Sequence, residues 1–495
     1  MDKNNTINDL SENVEILTSN MNDLNIKLNN DLDEDDSNDS DDPNDSDDSN
    51  DSDDSNDSDD SNDSDDSDDS DDSDDSDDSD EDDSDDDDYI DKYKGDMNFG
   101  DIVNGKYVLI KKIGYGTFST VWLGYLLNST TEQKYYAIKI HHQDDYDVGS
   151  KEREFLLKLK SLKCDNFVTL HECFDYMPLN SDSKIPSVCF VFDLMACSMH
   201  NVIALEKYSD GIDEEIVLSI IKQIAIALEK LKSIGYLYTD IRAENILVQT
   251  RDKRMEKFCE LFDAINFDDS WKQMCIQLCD KHNYNLTKKK HKSDFNKKKR
   301  VVCKEIIQNI TDTIAKELSG ISKDIELTVD TKFFLTDFGS VKKNHKHNDD
   351  FNIQTRDYRA PEVLLEQEYT YKVDVWSMGC IMFEFLTGER MIRPDKFKGY
   401  SVDFNHIFWL VELFGQFPKS IAKNSKYGEK FFYTNGKFKN SDTKDWWSID
   451  AALKYYDIAL GTESLRLMKH MFELEQNKRP SFDEIILAIN EHPCA

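Results

Sequence analysis

The chain has no lysine or arginine between Asp31 and Asp88, a stretch that holds 36 Asp and Glu residues. A segment built almost wholly of Asp, Ser and Asn has no apolar surface to offset the entropy of ordering its backbone, and its like charges repel, so the tract at 31–95 is expected to stay disordered. Residues 1–30 carry 5 acids and 2 bases, and 60 acids face 58 bases after Asp88, so the net charge of −41 belongs to a tail while the rest of the chain is close to neutral. Other absences narrow the class. There is no run of 18 or more apolar residues and no basic-then-apolar leader, so a soluble, intracellular protein, cytoplasmic or nuclear and with no membrane partner, is expected. The ten cysteines form no C-x-x-C pair. Cys275, Cys279 and His282 come nearest to a metal cluster, but at helical spacing, and ordinary reduced thiols are the expectation.

What is present divides into segments of different character. Leu10, Val14, Leu17, Met21, Leu24 and Leu28 alternate spacings of four and three, which is either a marginal amphipathic helix over residues 1–30 or a short zipper giving weak self-association. From Tyr107 the pattern changes to short apolar runs rich in β-branched and aromatic residues. Strands are expected at Tyr107–Ile113, Ser119–Leu126, Tyr135–Ile140, Phe167–Phe174 and Val188–Phe192, with a helix at Ser150–Lys160 among them. Longer amphipathic stretches follow at Glu214–Ser233, Lys372–Leu386, His406–Phe414 and Ser464–Glu473. This division predicts an α+β fold of two lobes over residues 107–493, a small antiparallel sheet with one helix followed by a mostly helical second half, with a cleft between them. Residues 251–330 interrupt the second part, between strands at Ile246–Thr250 and Lys332–Leu335. Helices at Lys253–Ile265 and Val301–Leu318 would flank the basic run Lys288–Arg300, which reads as an import signal, a nucleic-acid patch or a solvated loop; nucleic acid is not the expected partner.

Two short motifs carry the chemistry. Y-T-D-I-R-A-E-N spans Tyr238–Asn245 and D-F-G spans Asp337–Gly339. Phosphoryl transfer asks an enzyme mainly for positioning and charge neutralisation, with one carboxylate facing the acceptor hydroxyl and an Asp plus an Asn holding magnesium; Asp240, Asp337 and Asn245 fit those roles. Upstream, I-G-Y-G-T-F-S-T-V-W runs from Ile113 to Trp122 between two expected strands. Gly114 and Gly116 would let a hairpin approach phosphates closely, while Ser119 stands where a third glycine is common; alone, such a string also suits an ordinary hairpin. Y-A-I-K then ends at Lys139, and an acidic partner is expected on the following helix, where Glu154 is preferred to Glu152.

With these motifs in order, residues 107–493 outside the insert resemble a eukaryotic-type serine/threonine protein kinase of the CMGC group. D-V-W-S-M-G-C at Asp374–Cys380 is similar to the helix whose Asp braces the catalytic loop. A-P-E at Ala360–Glu362, with Arg479 in N-K-R-P, is similar to a buried ion pair anchoring the substrate-side loop. Within the group the nearest resemblance is to the SR-protein kinases, carried by G-x-F-S-T-V-W, T-D-I-x-x-E-N, I-Q-T-R-D-Y-R at Ile353–Arg359 and H-I-F-W-L-V-E-L-F-G from His406. The insert falls where those kinases carry a spacer.

The resemblance implies ATP and magnesium as cofactors and serine hydroxyls of protein substrates, Arg/Ser-rich ones, as acceptors. It places the nucleotide under Ile113, Gly114, Tyr115, Gly116, Thr117, Phe118, Ser119, Thr120 and Val121, beside Phe192, Asp193 and Met195. Lys139 and Glu154 would orient phosphates, Asp240 accept the proton, Arg242 steady the transferred group, and Arg359 and Glu362 shape the substrate loop. Tyr238 and Thr239 depart from the family's His-Arg before the catalytic Asp, and Val341–Gln354 contains no Ser, Thr or Tyr. Activity without phosphorylation of that loop is therefore expected, as in SR-protein kinases. A Pro-directed kinase and a non-catalytic scaffold are the alternatives.

Overall fold

In a computed structural model of the protein, the described residues are 99–162, 164–178, 183–250, 252–344, 350–395, 400–439 and 447–491; the expected helix at 10–28 and the acidic tract at 31–95 lie outside them. Strands β1 (Ile102–Val103), β2 (Tyr107–Gly116), β3 (Ser119–Leu126), β4 (Tyr135–His141), β5 (Leu170–Tyr176) and β6 (Ser187–Asp193) form an antiparallel sheet in the order β1-β2-β3-β4-β6-β5. Alternation along β6 sorts its side chains onto two faces. Val188, Phe190 and Phe192 join Phe155, Leu156 and Leu159 of helix α1 (Tyr146–Leu159), while Cys189 and Val191 pack with Tyr107, Trp122, Tyr136 and Ile138 on the other face.

The second lobe is built on α2 (Glu214–Ser233), whose buried Val217, Ile220, Ile221, Ile224, Leu228 and Leu231 recur every three or four residues. Its first turn is acidic and its last basic, which suits the helix dipole. Short strands β7 (Cys197–Ser198), β8 (Tyr236–Leu237), β9 (Ile246–Gln249), β10 (Lys332–Leu335) and β11 (Lys342–Lys343) line the cleft side. β10 pairs with β9, Leu335 opposite Ile246, and β11 with β8.

The excursion between β9 and β10 folds as α3 (Lys253–Ala264), α4 (Phe267–Lys281) and α5 (Lys289–Glu317). The basic run is helical rather than a loop between helices: α5 begins at Lys289 because Phe295, Val302, Ile306, Ile310 and Ile314 sustain one buried face and the lysines between them are good helix formers. Helix α4 escaped the sequence reading although Phe267, Trp271, Met274 and Leu278 follow the same period. The excursion leaves from the larger lobe yet packs on the smaller. Phe262 and Phe267 lie 5.3 and 5.9 Å from the Tyr125 ring, Asp268 accepts from the Tyr125 hydroxyl at 3.0 Å and the Asn128 amide at 2.9 Å, and Arg300 pairs with the buried Asp101 at 2.5 and 2.8 Å.

Behind the cleft stands α6 (Lys372–Thr387), buried on every side. It stops at Gly388, which adopts φ +75°; a Cβ there would lie 2.0 Å from the Ser209 carbonyl, so only glycine allows the turn. Helices α7 (Val402–Phe414), α8 (Thr462–Met471) and α9 (Phe482–Asn490) are the longer of the remaining helices of the lobe, α9 starting at a Ser481/Glu484 capping box. Among the described residues, no helix is long and apolar enough to cross a membrane.

Candidate active site

The β9–β10 pairing sets the centre of the site. Asn245 and Thr336 flank the last rung, joined by a Thr336 amide to Asn245 carbonyl bond of 3.1 Å, so the next residue, Asp337, emerges beside Asn245. Asp337 holds φ +53°, a left-handed conformation that a non-glycine residue seldom keeps without a reason. Its carboxylate is half exposed and takes the Lys139 ammonium at 2.9 Å. That cation holds the Asp337 carboxyl below its usual range against the opposing effect of burial.

Lys139 lies on β4 and donates 2.9 Å bonds to both oxygens of Glu152 on α1. Burial alone would favour neutral lysine, but Asp337 and Glu152 overcome it and hold the Lys139 pKa above its ordinary value. The acidic partner is therefore Glu152, and the expected Glu154 is corrected: Glu154 is exposed. Helix geometry gives the reason. Glu152 shares a face with the buried Phe155, Leu156 and Leu159 at spacings of three, four and seven, whereas Glu154, next to Phe155 in sequence, lies on the flank. That periodicity was available in the sequence.

Asp240 is held on two sides. Asn245 donates its amide to one Asp240 carboxylate oxygen at 2.8 Å and to the Asp240 carbonyl at 3.0 Å, and Thr355 donates its hydroxyl to the other carboxylate oxygen at 2.7 Å. Burial in the cleft, aided by the charge of Asp337, pushes the Asp240 carboxyl up despite Arg242, Thr355 and Asn245. Arg242 reaches Glu244 at 2.8 Å and Thr355 at 3.3 Å, and Glu244 also meets Arg390 at 3.4 Å.

The loop carrying Asp240 is fixed from behind. Both Asp374 oxygens accept backbone amides, Tyr238 at 2.9 Å and Thr239 at 2.8 Å, and burial pushes the Asp374 carboxyl up to about 7. Thr239, at φ +67°, donates its hydroxyl to the Ser340 carbonyl at 2.7 Å, and the Tyr238 ring meets Phe338 edge-on at 5.9 Å. Gln354, which the sequence reading missed, is a buried knot: its amide donates to the Val373 carbonyl at 3.0 Å and the Ser377 hydroxyl at 2.8 Å, its side-chain oxygen accepts from Ala360, and its backbone carbonyl takes Arg359 at 3.2 and 2.9 Å. Gln354 lies within the I-Q-T-R-D-Y-R motif, but nothing in that string marks its side chain as the buried one.

Glu362 and Arg479, far apart in sequence, form a bidentate pair at 2.6 and 2.8 Å. At the other rim, β2 and β3 close a hairpin with Gly114 opposite Val121, Tyr115 opposite Thr120 and Gly116 opposite Ser119; Tyr115 and Phe118 are exposed near its tip and Ile113 at its base. Phe192 is buried at the end of β6, Asp193 accepts from His171 and Gln133, and Met195 is half-buried.

The family model for the protein kinase domain matches residues 107–269 and 323–491. The chain belongs to the protein kinase family. It is similar to the serine/threonine-protein kinase SRPK of Physarum polycephalum, 27% identical over 348 residues that make up 69% of this chain and 74% of that protein. The putative serine/threonine-protein kinase L205 of Acanthamoeba polyphaga mimivirus is 24% identical over 412 residues, covering 66% of this chain and 75% of that protein. Among solved structures, the kinase domain of PF14_0431 superposes with a TM-score of 0.52 at 19% identity, covering 79% of this chain and 96% of that one, a likeness of fold. The protein is thus a serine/threonine kinase of the SR-protein-kinase-like type. In this kinase the Lys139–Glu152 pair, the D-F-G aspartate and Asp240 face one cleft.

Proposed function

We propose that this kinase transfers the γ-phosphate of ATP to serine, and secondarily threonine, hydroxyls in Arg/Ser-rich proteins, without phosphorylation of its own activation loop. One observation carries the chemical part: Asp240 is pinned by Asn245 through one oxygen and already accepts a hydroxyl, that of Thr355, through the other. A substrate serine in that place gives its proton to Asp240 as its oxygen bonds to the γ-phosphorus and the bond to the β-phosphate oxygen breaks, so ADP leaves with the electron pair. Arg242 beside Asp240 steadies the transferring group, and Lys139, oriented by Glu152, holds the α and β phosphates under the Ile113–Val121 hairpin. The donor set also suits a hard cation: Asn245 commits its amide nitrogen to Asp240, which leaves its carbonyl oxygen, next to an ionised Asp337, for magnesium. Magnesium, when bound, neutralises the phosphate charge.

Thr239 supports independence from loop phosphorylation. Where the family's arginine would await a phosphate, Thr239 ties the catalytic loop directly to Ser340, and Gln354 ties the far end of the loop to α6. Preference for Arg/Ser-rich acceptors rests on the likeness to SR-protein kinases and on the 36 carboxylates of the tail, which complement a polycationic peptide. Such substrates imply a cytoplasmic or nuclear kinase.

The test is phosphate transfer from magnesium ATP by unphosphorylated full-length protein to an Arg-Ser repeat peptide and to a Ser-Pro peptide, with the Asp337→Ala variant as control. Transfer to the Arg-Ser peptide that disappears in the variant is expected. Preference for the Ser-Pro peptide, or activity only after phosphorylation of the activation loop, would overturn it.

A further inference from the structure

His141 closes β4 two residues after Lys139, so strand alternation sends both side chains to the same face. Its ring is buried, and Nε2 stands 2.8 Å from the Glu152 Oε2 atom. A carboxylate only accepts, so the His141 tautomer that fits is the one donating from Nε2. Nδ1 then has no hydrogen-bond partner among the described residues, an arrangement that a purely packing residue would avoid. The surroundings are shaped to this ring. Phe190 meets it edge-on at 5.7 Å, and Gly149, one turn before Glu152 on α1, lets the helix pass close over it: a Cβ there would come 3.0 Å from the His141 Cγ and 2.8 Å from the Val188 Cβ.

Lys139 is shared between Glu152 and Asp337 at equal distances of 2.9 Å, and both Lys139 and Asp337 acquire new partners when nucleotide and its cation enter. The remaining hold on Glu152 from the D-F-G segment is a longer bond, from the Phe338 amide at 3.4 Å. His141, shielded from the cleft, keeps its bond to Glu152 throughout. The geometry points to His141 as a positioning residue for nucleotide binding, which holds the Glu152 carboxylate so that Lys139 is presented to the phosphates. This inference rests on the proposed role of Lys139 as the phosphate ligand.

Full-length His141→Leu, His141→Gln and Lys139→Met proteins test it through the ATP KM, kcat at saturating ATP, and the Kd of a fluorescent ATP analogue, with Tm as a check on folding. Leucine fills the slot without a donor; glutamine restores one near the Nε2 position. We expect His141→Leu to raise the ATP KM and the analogue Kd about tenfold, the loss of one hydrogen bond to a charged group, with kcat changed less than about threefold. Glutamine should recover most of that loss. Wild-type nucleotide affinity in His141→Leu, or equal loss in Leu and Gln proteins tracking a lower Tm, would overturn the inference. Should the leucine protein not fold, His141→Asn, too short to reach Glu152, is expected to show the same rise in KM, and wild-type KM there counts against it. Wild-type affinity and turnover in Lys139→Met would instead sink the underlying reading of the site.

Discussion

Two glutamates in this kinase meet a cation in bidentate fashion, one in each lobe. Glu362 and Arg479 are almost fully buried, and four of the five N–H donors of Arg479 are used: besides the two bonds to Glu362, Nε donates to the Glu473 carbonyl at 2.8 Å and Nη1 to the Lys372 carbonyl at 2.9 Å, with the guanidinium 5.0 Å from the Trp376 ring centre. Glu152 is as deeply buried, but its cation, Lys139, also reaches the half-exposed Asp337 across the cleft edge. A planar guanidinium held by four hydrogen bonds is fixed in place, whereas an ammonium on a flexible stem can change partners. The first arrangement is a fixture of the fold, and the second is suited to handing charge to a ligand.

The comparison breaks most readily at the fixture. Arg479→Met should lose about 3–5 kcal/mol of stability because Glu362 is left as an uncompensated buried charge, read as a lower urea midpoint with unchanged cooperativity. A stability change under 1 kcal/mol would show that the pair is no more than a surface contact. At the other pair the loss should appear chiefly in rate: Lys139→Met is expected to slow phosphate transfer by about 10²-fold or more, with a smaller loss of stability than Arg479→Met because the buried Glu152 keeps its His141 and Phe338 partners. A large fall in Tm there would erase the contrast between the two pairs.

A third buried carboxyl sharpens it. Glu384 accepts from the Tyr358 hydroxyl at 2.8 Å, but its nearest guanidinium nitrogen, on Arg390, is 3.8 Å away, and burial pushes its pKa up to about 7. The folded state thus holds a proton that the unfolded chain releases near its ordinary pKa. The stabilisation is complete below about pH 4.5 and declines as pH rises through 7, by about 3 kcal/mol in all. Glu384→Gln keeps an acceptor for Tyr358 and removes the titration, so stability measured between pH 5 and 8 should lose that part of its slope. The smallest effect belongs to Glu154, two residues from Glu152 yet exposed. Glu154→Ala should change stability by less than about 0.5 kcal/mol and leave the ATP KM unaltered, and a tenfold rise in KM would return Glu154 to the site.

How far the sequence could be read depended on whether the relevant signal was local. Helix α2 and strands β3 and β10 were legible to the residue because periodicity and β-branched content report on the chain's own neighbours. The basic run within α5 was misplaced for a related reason: a cluster of lysines looks like a loop until Phe295 is seen to continue the buried face of Val302 and Ile306. The choice between Glu152 and Glu154 failed although the spacing favoured Glu152, since in the written sequence Glu154 stands beside Phe155 while Glu152 lies between Lys151 and Arg153.

The sequence by itself determined that this chain folds into a small sheet lobe and a helical lobe, and that Lys139, Asp240, Asn245 and Asp337 belong together, because those residues sit in short motifs whose spacing is set by strand and turn geometry. Only the tertiary structure decided that His141 backs the Lys139–Glu152 pair, that Gln354 knots the loop to α6, and that the excursion after β9 lies on the other lobe. Those choices depend on contacts between segments far apart in the chain, where closeness in space is set by the packing of whole elements and leaves no repeat in the sequence.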